Sequence, residues 1–325
     1  MTEESVPRDT RLVTGQAADE YRGTRGERRT MPTGENQIKA LIRLLSDENE
    51  RIVKTITGKL IEIGNTAVPL LQEAEIEQPE MAKRIEGVLD EIRGKRLEEE
   101  LHALVSASDD GVDLETGAFL IARYAYPNLD VPTYRAQLAA LSAEVRERMG
   151  VRVSGEEAVK TLGRYLFAEQ GFRGNTRNYY ETDNSYLNRV LDRRTGIPIS
   201  LSLVYLLIGW RLGLPLAGVG MPGHFLVKYE SERYKVFVDC FNGGALLTEK
   251  DCARFLMQAG YGFEERYLAK SPSRAILVRT LKNLIAIYRK LDETVKETRL
   301  TRFIEVLDGR PKGSEGADQE EECGP

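Results

Sequence analysis

The fifteen residues from Pro198 to Leu212, PISLSLVYLLIGWRL, constrain the chain most. The run is too long and too apolar for one strand and too short to span a membrane, so it reads as one buried helix. Pro198 suits a first helical turn, where a missing backbone N–H costs nothing. Gly213 ends the helix and Pro215 blocks its continuation. Three strand-like runs follow, Leu216 to Met221, His224 to Tyr229 and Tyr234 to Asp239. A buried helix followed by an antiparallel meander predicts an α+β core.

Two polar residues inside that core stand out. His224 opens the second predicted strand and Asp239 closes the third. A four-residue hairpin loop, Glu230 to Arg233, sets Tyr229 opposite Tyr234 and therefore His224 directly opposite Asp239. A carboxylate beside an imidazole fixes its tautomer and supports the imidazolium, as in nucleophile–His–Asp enzymes. The simpler reading is a structural polar pair at a sheet edge.

These segments resemble the transglutaminase-like family, whose core shares its design with papain-type cysteine proteases. The family pattern is Gly–x–Cys at a helix start, an L-G-[IL]-P turn, a His on one strand and an Asp on the next. Here Gly196-Ile197-Pro198 stands at the first position and Leu212-Gly213-Leu214-Pro215 at the turn. Gly223-His224-Phe225 and Val238-Asp239 occupy the other two. The phrases GIPISLSL, PGHFLV and DCFNGG are similar to the SirB-type branch, over roughly residues 150 to 260, and GAFLIARYAYPNLDVPTY resembles the region ahead of that core.

The departure from the pattern lies at the nucleophile. Pro198 has no thiol and cannot attack a carbonyl. Ser202 lies one turn further on the same helix face, about 6 Å along the axis. Ser200 points elsewhere. Cys240 alternates to the strand face opposite Asp239. The catalytic candidates are thus His224, Asp239 and Ser202, with Pro198 in the nucleophile's place.

Composition narrows the classes. The formal charge is −5, with 41% hydrophobic and 30% charged residues. That balance argues against nucleic-acid binding, which needs a clustered basic face. No apolar run reaches membrane-spanning length, and the polar start MTEESVPRDT carries no signal segment. Three cysteines, Cys240, Cys252 and Cys323, and two histidines give neither a disulfide framework nor zinc spacing. No cofactor or metal is expected, and the cytoplasm is the expected location.

Along the chain, residues 1–35 read as a disordered arm. Residues 36–149 form a helical region. LIRLLSDENERIVKTITGKLIEIGNTAVPLLQEA within it resembles a HEAT repeat, whose faces need a neighbouring surface. His102, after Glu98 to Glu100, reads as a surface histidine. Asp113, Ser154, Thr248 and Ser271 are expected helix caps. Between Gly171 and Gly196, Asn184, Asn188, Arg189, Arg193 and Arg194 approach the start of the buried helix, where an anion could dock. The simpler reading is that they brace the loop. Asn184, Asn188, Arg189, Gly223 and Asn242 are the candidate binding residues. Residues 150–260 form the core, 261–308 resemble a TPR-like hairpin, and 309–325 read as a disordered tail.

The expected protein is α+β and mainly helical: a transglutaminase-like (papain-like) core with a small antiparallel sheet, HEAT-like hairpins before it and a TPR-like hairpin after it. The expected role is a non-catalytic scaffold for a protein or peptide partner. The competing class is a cysteine- or serine-type hydrolase or acyltransferase using His224 and Asp239.

Overall fold

The computed structural model describes residues 34–107, 111–150 and 153–309. Residues 1–33 of the expected arm and 310–325 of the expected tail, with Cys323, lie outside these residues, while Glu35, expected in the arm, opens the first helix. The chain divides into two compact units between Leu70 and Leu71.

In the first unit, α1 (Glu35–Arg43) buries Ile38 and Ile42, and α2 (Glu50–Ile63) buries Val53, Ile56 and Leu60. Asn49 caps α2 by accepting from the Arg51 N–H at 3.0 Å. The division falls within α3 (Val68–Glu77).

The second unit is built around a helix and a sheet. Before them come α4 (Ala82–Ser106), α5 (Leu114–Ala125), α6 (Val131–Met149) and α7 (Gly155–Gly163). Asp113 caps α5 and Ser154 caps α7, each accepting a backbone N–H three residues on. A two-residue parallel pair, β1 (Arg173–Gly174) with β2 (Thr195–Gly196), brackets α8 (Leu187–Arg193).

The apolar run is a single helix, α9 (Pro198–Arg211), buried from Pro198 through Gly209. It packs on α6, α7 and α8 and on the sheet. That antiparallel sheet has the order β3 (Leu216–Met221), β4 (His224–Glu230), β5 (Lys235–Asp239), β6 (Ala245–Leu247). A Cβ at Gly209 would collide with Leu216 Cδ1, so glycine lets helix and first strand approach. β6 escapes sequence reading because three residues carry no usable alternation.

The sheet is buried on both faces. Phe225, Val227, Val236, Val238 and Cys240 join the main core around α9. Val219, Leu226 and Phe237 face the other way, onto Cys252 and Leu256 of α10 (Glu249–Gln258). Thr248 and Asp251 form the expected capping box of α10.

Two helices close the unit, α11 (Ser273–Lys290) and α12 (Thr294–Asp308). Ser271 does not cap α11. Its N–H donates to the Gly218 carbonyl at 2.8 Å and its Oγ accepts from the Gly220 N–H at 3.1 Å, so it extends the sheet edge instead. α11 packs on α5, and α12 on α4. Glu98, from the acidic run of α4, pairs with Arg299 at 3.3 Å and Arg302 at 3.7 Å, and Glu100 pairs with Arg123 of α5 at 2.6 Å. That run is therefore a tie between helices, and His102 is exposed. Among the described residues no helix is long and apolar enough to cross a membrane.

Candidate functional site

Pro222 and Gly223 make the turn between β3 and β4, with Gly223 at φ +70°, a left-handed conformation that favours glycine. This tight turn places His224 at the mouth of the sheet. Its Nε2 lies 3.0 Å from Asp239 Oδ2. The ring nitrogen is not aligned on that oxygen, so the contact is a close approach rather than a full hydrogen bond.

The strand register differs from the sequence expectation. β4 and β5 pair Glu230 with Lys235 and Val227 with Val238, so His224 and Asp239 are diagonal rather than directly opposed. The loop is Ser231 to Tyr234, one residue further along. Ser231 fixes it: its N–H donates to the Tyr234 carbonyl at 2.9 Å and its Oγ accepts from the Tyr234 N–H at 3.2 Å. The change is an even number of residues, so both side chains keep the same face.

Asp239 is held from behind. Its Oδ1 accepts from the Phe241 and Asn242 N–H groups, each at 3.1 Å, and its Oδ2 accepts from Asn242 Nδ2 at 2.8 Å. Burial would raise its pKa, but His224 and the Asn242 donors outweigh burial and hold it below the ordinary aspartate value. Asn242 therefore orients Asp239 and is committed to it.

His224 and Pro198 line one narrow cleft, with Gly223, Tyr180, Arg279 and Asn283 among its other walls. The His224 ring also lies 5.4 Å from that of Phe255 on α10 and 6.5 Å from that of Phe241. Arg279 donates through one Nη to the Met221 and His224 carbonyls, both at 2.9 Å, and so clamps the β3–β4 turn onto α11.

Arg279 and Asn283 went unseen in the sequence. The available signal was two polar residues four apart beside the inward stripe of Ile276, Leu277, Leu281 and Leu284.

The substitute nucleophiles are not in this cleft. Ser202 is 0% exposed, and its hydroxyl lies beside the Cys240 thiol without an aligned hydrogen bond. Cys240 is equally buried. Burial pushes its thiol far up, the Ser202 hydroxyl offsets part of that, and the nearby Asp239 carboxylate adds to it. One helical turn carried Ser202 inward, because α9 is buried on all sides.

The remaining candidate binding residues are spent on the loop ahead of α9. Asn184 is wholly buried; it donates to the Asn178 and Tyr179 carbonyls and accepts from Asn175. Its own carbonyl accepts from Ser200 Oγ at 2.5 Å. Arg189 pairs with Asp183 at 3.0 Å and Asp192 at 3.4 Å, and Arg193 pairs with Glu181 at 2.6 Å. Asn188 is buried with Oδ1 unpartnered. Asn184, Arg189 and Arg193 brace the loop, and neither they nor Asn188 line the cleft. Among the described residues, no three His, Cys, Asp or Glu side chains group as a metal site would need.

A sequence profile of the transglutaminase-like superfamily matches residues 132–282, a span holding α9, the sheet and the His224–Asp239 pair. A UPF0162 protein of Xylella fastidiosa (strain Temecula1) is 34% identical over 216 residues, covering 64% of this chain and 77% of that protein. A UPF0162 protein of Vibrio cholerae is 29% identical over 136 residues, covering 41% and 50%. Human F-box only protein 21 is 29% identical over 202 residues, covering 53% of this chain and 32% of that protein. No solved structure matches. With a helix, a sheet and a His–Asp pair inside the matched span, and with most of a UPF0162 protein covered, the chain belongs to the UPF0162 family and carries a transglutaminase-like core.

Proposed function

We propose that the protein is a non-catalytic, protein-binding scaffold whose transglutaminase-like core has lost its nucleophile. The observation that carries this reading is Pro198 at the first turn of α9, lining the same cleft as His224. Proline removes a reactive side chain and also a backbone N–H, which an oxyanion formed at that point would need as a donor. Ser202 and Cys240 are too buried to reach a substrate. The matched region makes up 32% of human F-box only protein 21, so in that protein it is one part of a longer chain, which suits a module used for attachment. The HEAT-like and TPR-like helices, the SirB-type kinship and a cytoplasmic setting belong to this same proposal.

The second reading is a hydrolase or acyltransferase that uses His224 and Asp239. What favours it is the retained 3.0 Å approach between the two side chains. The deciding assay compares wild type, His224→Ala and Pro198→Cys for amine incorporation and peptide hydrolysis. The scaffold reading expects no wild-type turnover above background. Wild-type turnover that disappears in His224→Ala would establish the enzyme instead.

A further inference from the structure

The cleft beside Pro198 is rich in donors and poor in counter-charge. Arg279 lines it, and only one of its two Nη groups is spent, on two carbonyls. Among the described residues the other N–H groups of the guanidinium have no hydrogen-bond acceptor, and no carboxylate pairs with Arg279. Guanidinium donates five N–H bonds in a fixed fork, so three are not spent on those carbonyls, and its face lies over the Phe225 ring, Cζ 5.8 Å from the centroid. Asn283, one turn along α11, brings an amide to the same cleft. At the rim, Lys290 Nζ sits 3.6 Å from the Tyr180 ring centroid, also without a carboxylate partner among the described residues. Among the described residues, no Asp or Glu lines the cleft. Asp239 touches His224 from behind and is saturated by its own donors.

Size and wall chemistry narrow the ligand further. The cleft encloses a cavity of about 30 Å³. That exceeds the roughly 10–15 Å³ one water needs and falls far below the roughly 300–1,000 Å³ of a small-molecule site. Ile197, Ile199, Phe225 and Ile287 supply apolar surface next to the donors. A planar two-oxygen anion on a short apolar stem fits such a slot; a fully hydrated tetrahedral anion would leave those apolar walls unused.

We propose that this cleft binds a carboxylate, presented by an acidic residue of a protein partner and gripped by Arg279 and Asn283. The inference rests on the scaffold reading and names the chemistry the scaffold recognises. Pro198 then serves as an inert apolar wall, and the old catalytic mouth becomes a docking slot.

The chain holds two histidines, His102, exposed on α4, and His224 in the cleft. Long-range proton–nitrogen correlation spectra of the imidazoles therefore give one reporter and one internal reference. At fixed pH and ionic strength, titration with propionate should shift the His224 ring signals to saturation and leave His102 unmoved. Propionamide, its neutral isostere, should do neither. Arg279→Gln should weaken propionate binding roughly tenfold or more, as loss of a charge-assisted pair does. Because Arg279 also clamps the turn, Asn283→Leu is the second variant, expected to weaken binding with both clamps intact.

Equal shifts from propionate and propionamide, no His224 shift in wild type, or wild-type affinity in both variants would overturn the proposal. Phosphate saturating as tightly as propionate would overturn its carboxylate specificity. Two peptides separate the sources: acetyl-Ala-Glu-Ala-amide should bind, and acetyl-Ala-Ala-Ala with a free C-terminus should bind more weakly. The reverse order would move the ligand from an acidic side chain to a chain terminus and overturn that part. Failure here with no wild-type turnover removes only the carboxylate slot, whereas wild-type turnover removes the scaffold reading.

Discussion

His224 and Asp239 meet diagonally across the β4–β5 hairpin, Nε2 to Oδ2 at 3.0 Å, with Asp239 anchored from behind by Asn242. The anchoring makes Asp239 a structural residue whatever else it does. It holds the turn from Cys240 to Gly244 in place through two backbone N–H groups and one side-chain amide.

Asp239→Ala should therefore destabilise the fold by about 2–4 kcal/mol, since it strands buried donors and an imidazole. Asp239→Asn should cost less, because one oxygen survives. The pH dependence has a defined sign. Asp239 titrates lower in the folded state than in the unfolded chain. Its contribution is therefore complete above the unfolded value of about 3.9 and fades as pH falls through the folded value. Urea unfolding should show the gap between wild type and Asp239→Asn narrowing below about pH 5, as Asp239 takes up its proton. A gap unchanged on acidification below about pH 5 would show that the Asp239 carboxylate contributes nothing through its charge.

Gly209→Ala tests the contact between helix and sheet. Alanine favours a helix over glycine by roughly 0.5–1 kcal/mol. The added methyl, however, meets Leu216 Cδ1 in a buried seam, and overpacking costs about 1–3 kcal/mol. The net expectation is a loss of about 1 kcal/mol, read from thermal unfolding, as the difference between those two opposing effects. Leu216→Ala alone should also destabilise, and the double variant should be more stable than the two single losses predict. Strict additivity would mean that Leu216 turns aside freely.

Much of this architecture is written locally, and the exceptions have physical causes. α9 was legible because Pro198, an unbroken apolar run and Gly213 are local signals. The parity of the His224 and Asp239 faces was legible too, because strand alternation survives a two-residue slip. The register itself was not, since Ser231 chooses the loop through bonds to Tyr234 that spacing cannot reveal. Ser202 reads as one turn from the reactive position, but only the packing of α6, α7, α8 and the sheet around α9 shows that its face is sealed. Arg279 joins the cleft from fifty-five residues downstream of His224, and nothing local to either residue announces the meeting.

The native thiols should be inert. Cys240 and Cys252 are each 0% exposed. Burial, aided by the neighbouring Asp251 carboxylate, pushes the Cys252 thiol up to about 12. In a Cys323→Ser background, a disulfide reagent at neutral pH should find no fast thiol, and both should appear together only on unfolding. A single fast thiol that maps to Cys240 would revive it as a nucleophile.

That silent background allows a direct test of what the proline replaced. Pro198→Cys, made in the Cys323→Ser chain, puts one thiol at the first turn of α9, in the cleft that His224 lines. A helix N-terminus favours thiolate, and an imidazole in the same cleft can take up its proton, so the new group should titrate well below the free-cysteine value of about 8.5. The pH dependence of its reaction with iodoacetamide measures this. Adding His224→Ala should move the titration back toward the free value, while Asn242→Ala, which loosens Asp239 without touching the thiol, should move it partway. A thiol with an ordinary pKa, indifferent to His224, would show that the imidazole no longer addresses the helix start. The His–Asp pair would then persist for the turn it stabilises, and the loss of chemistry would reach beyond the one residue at position 198.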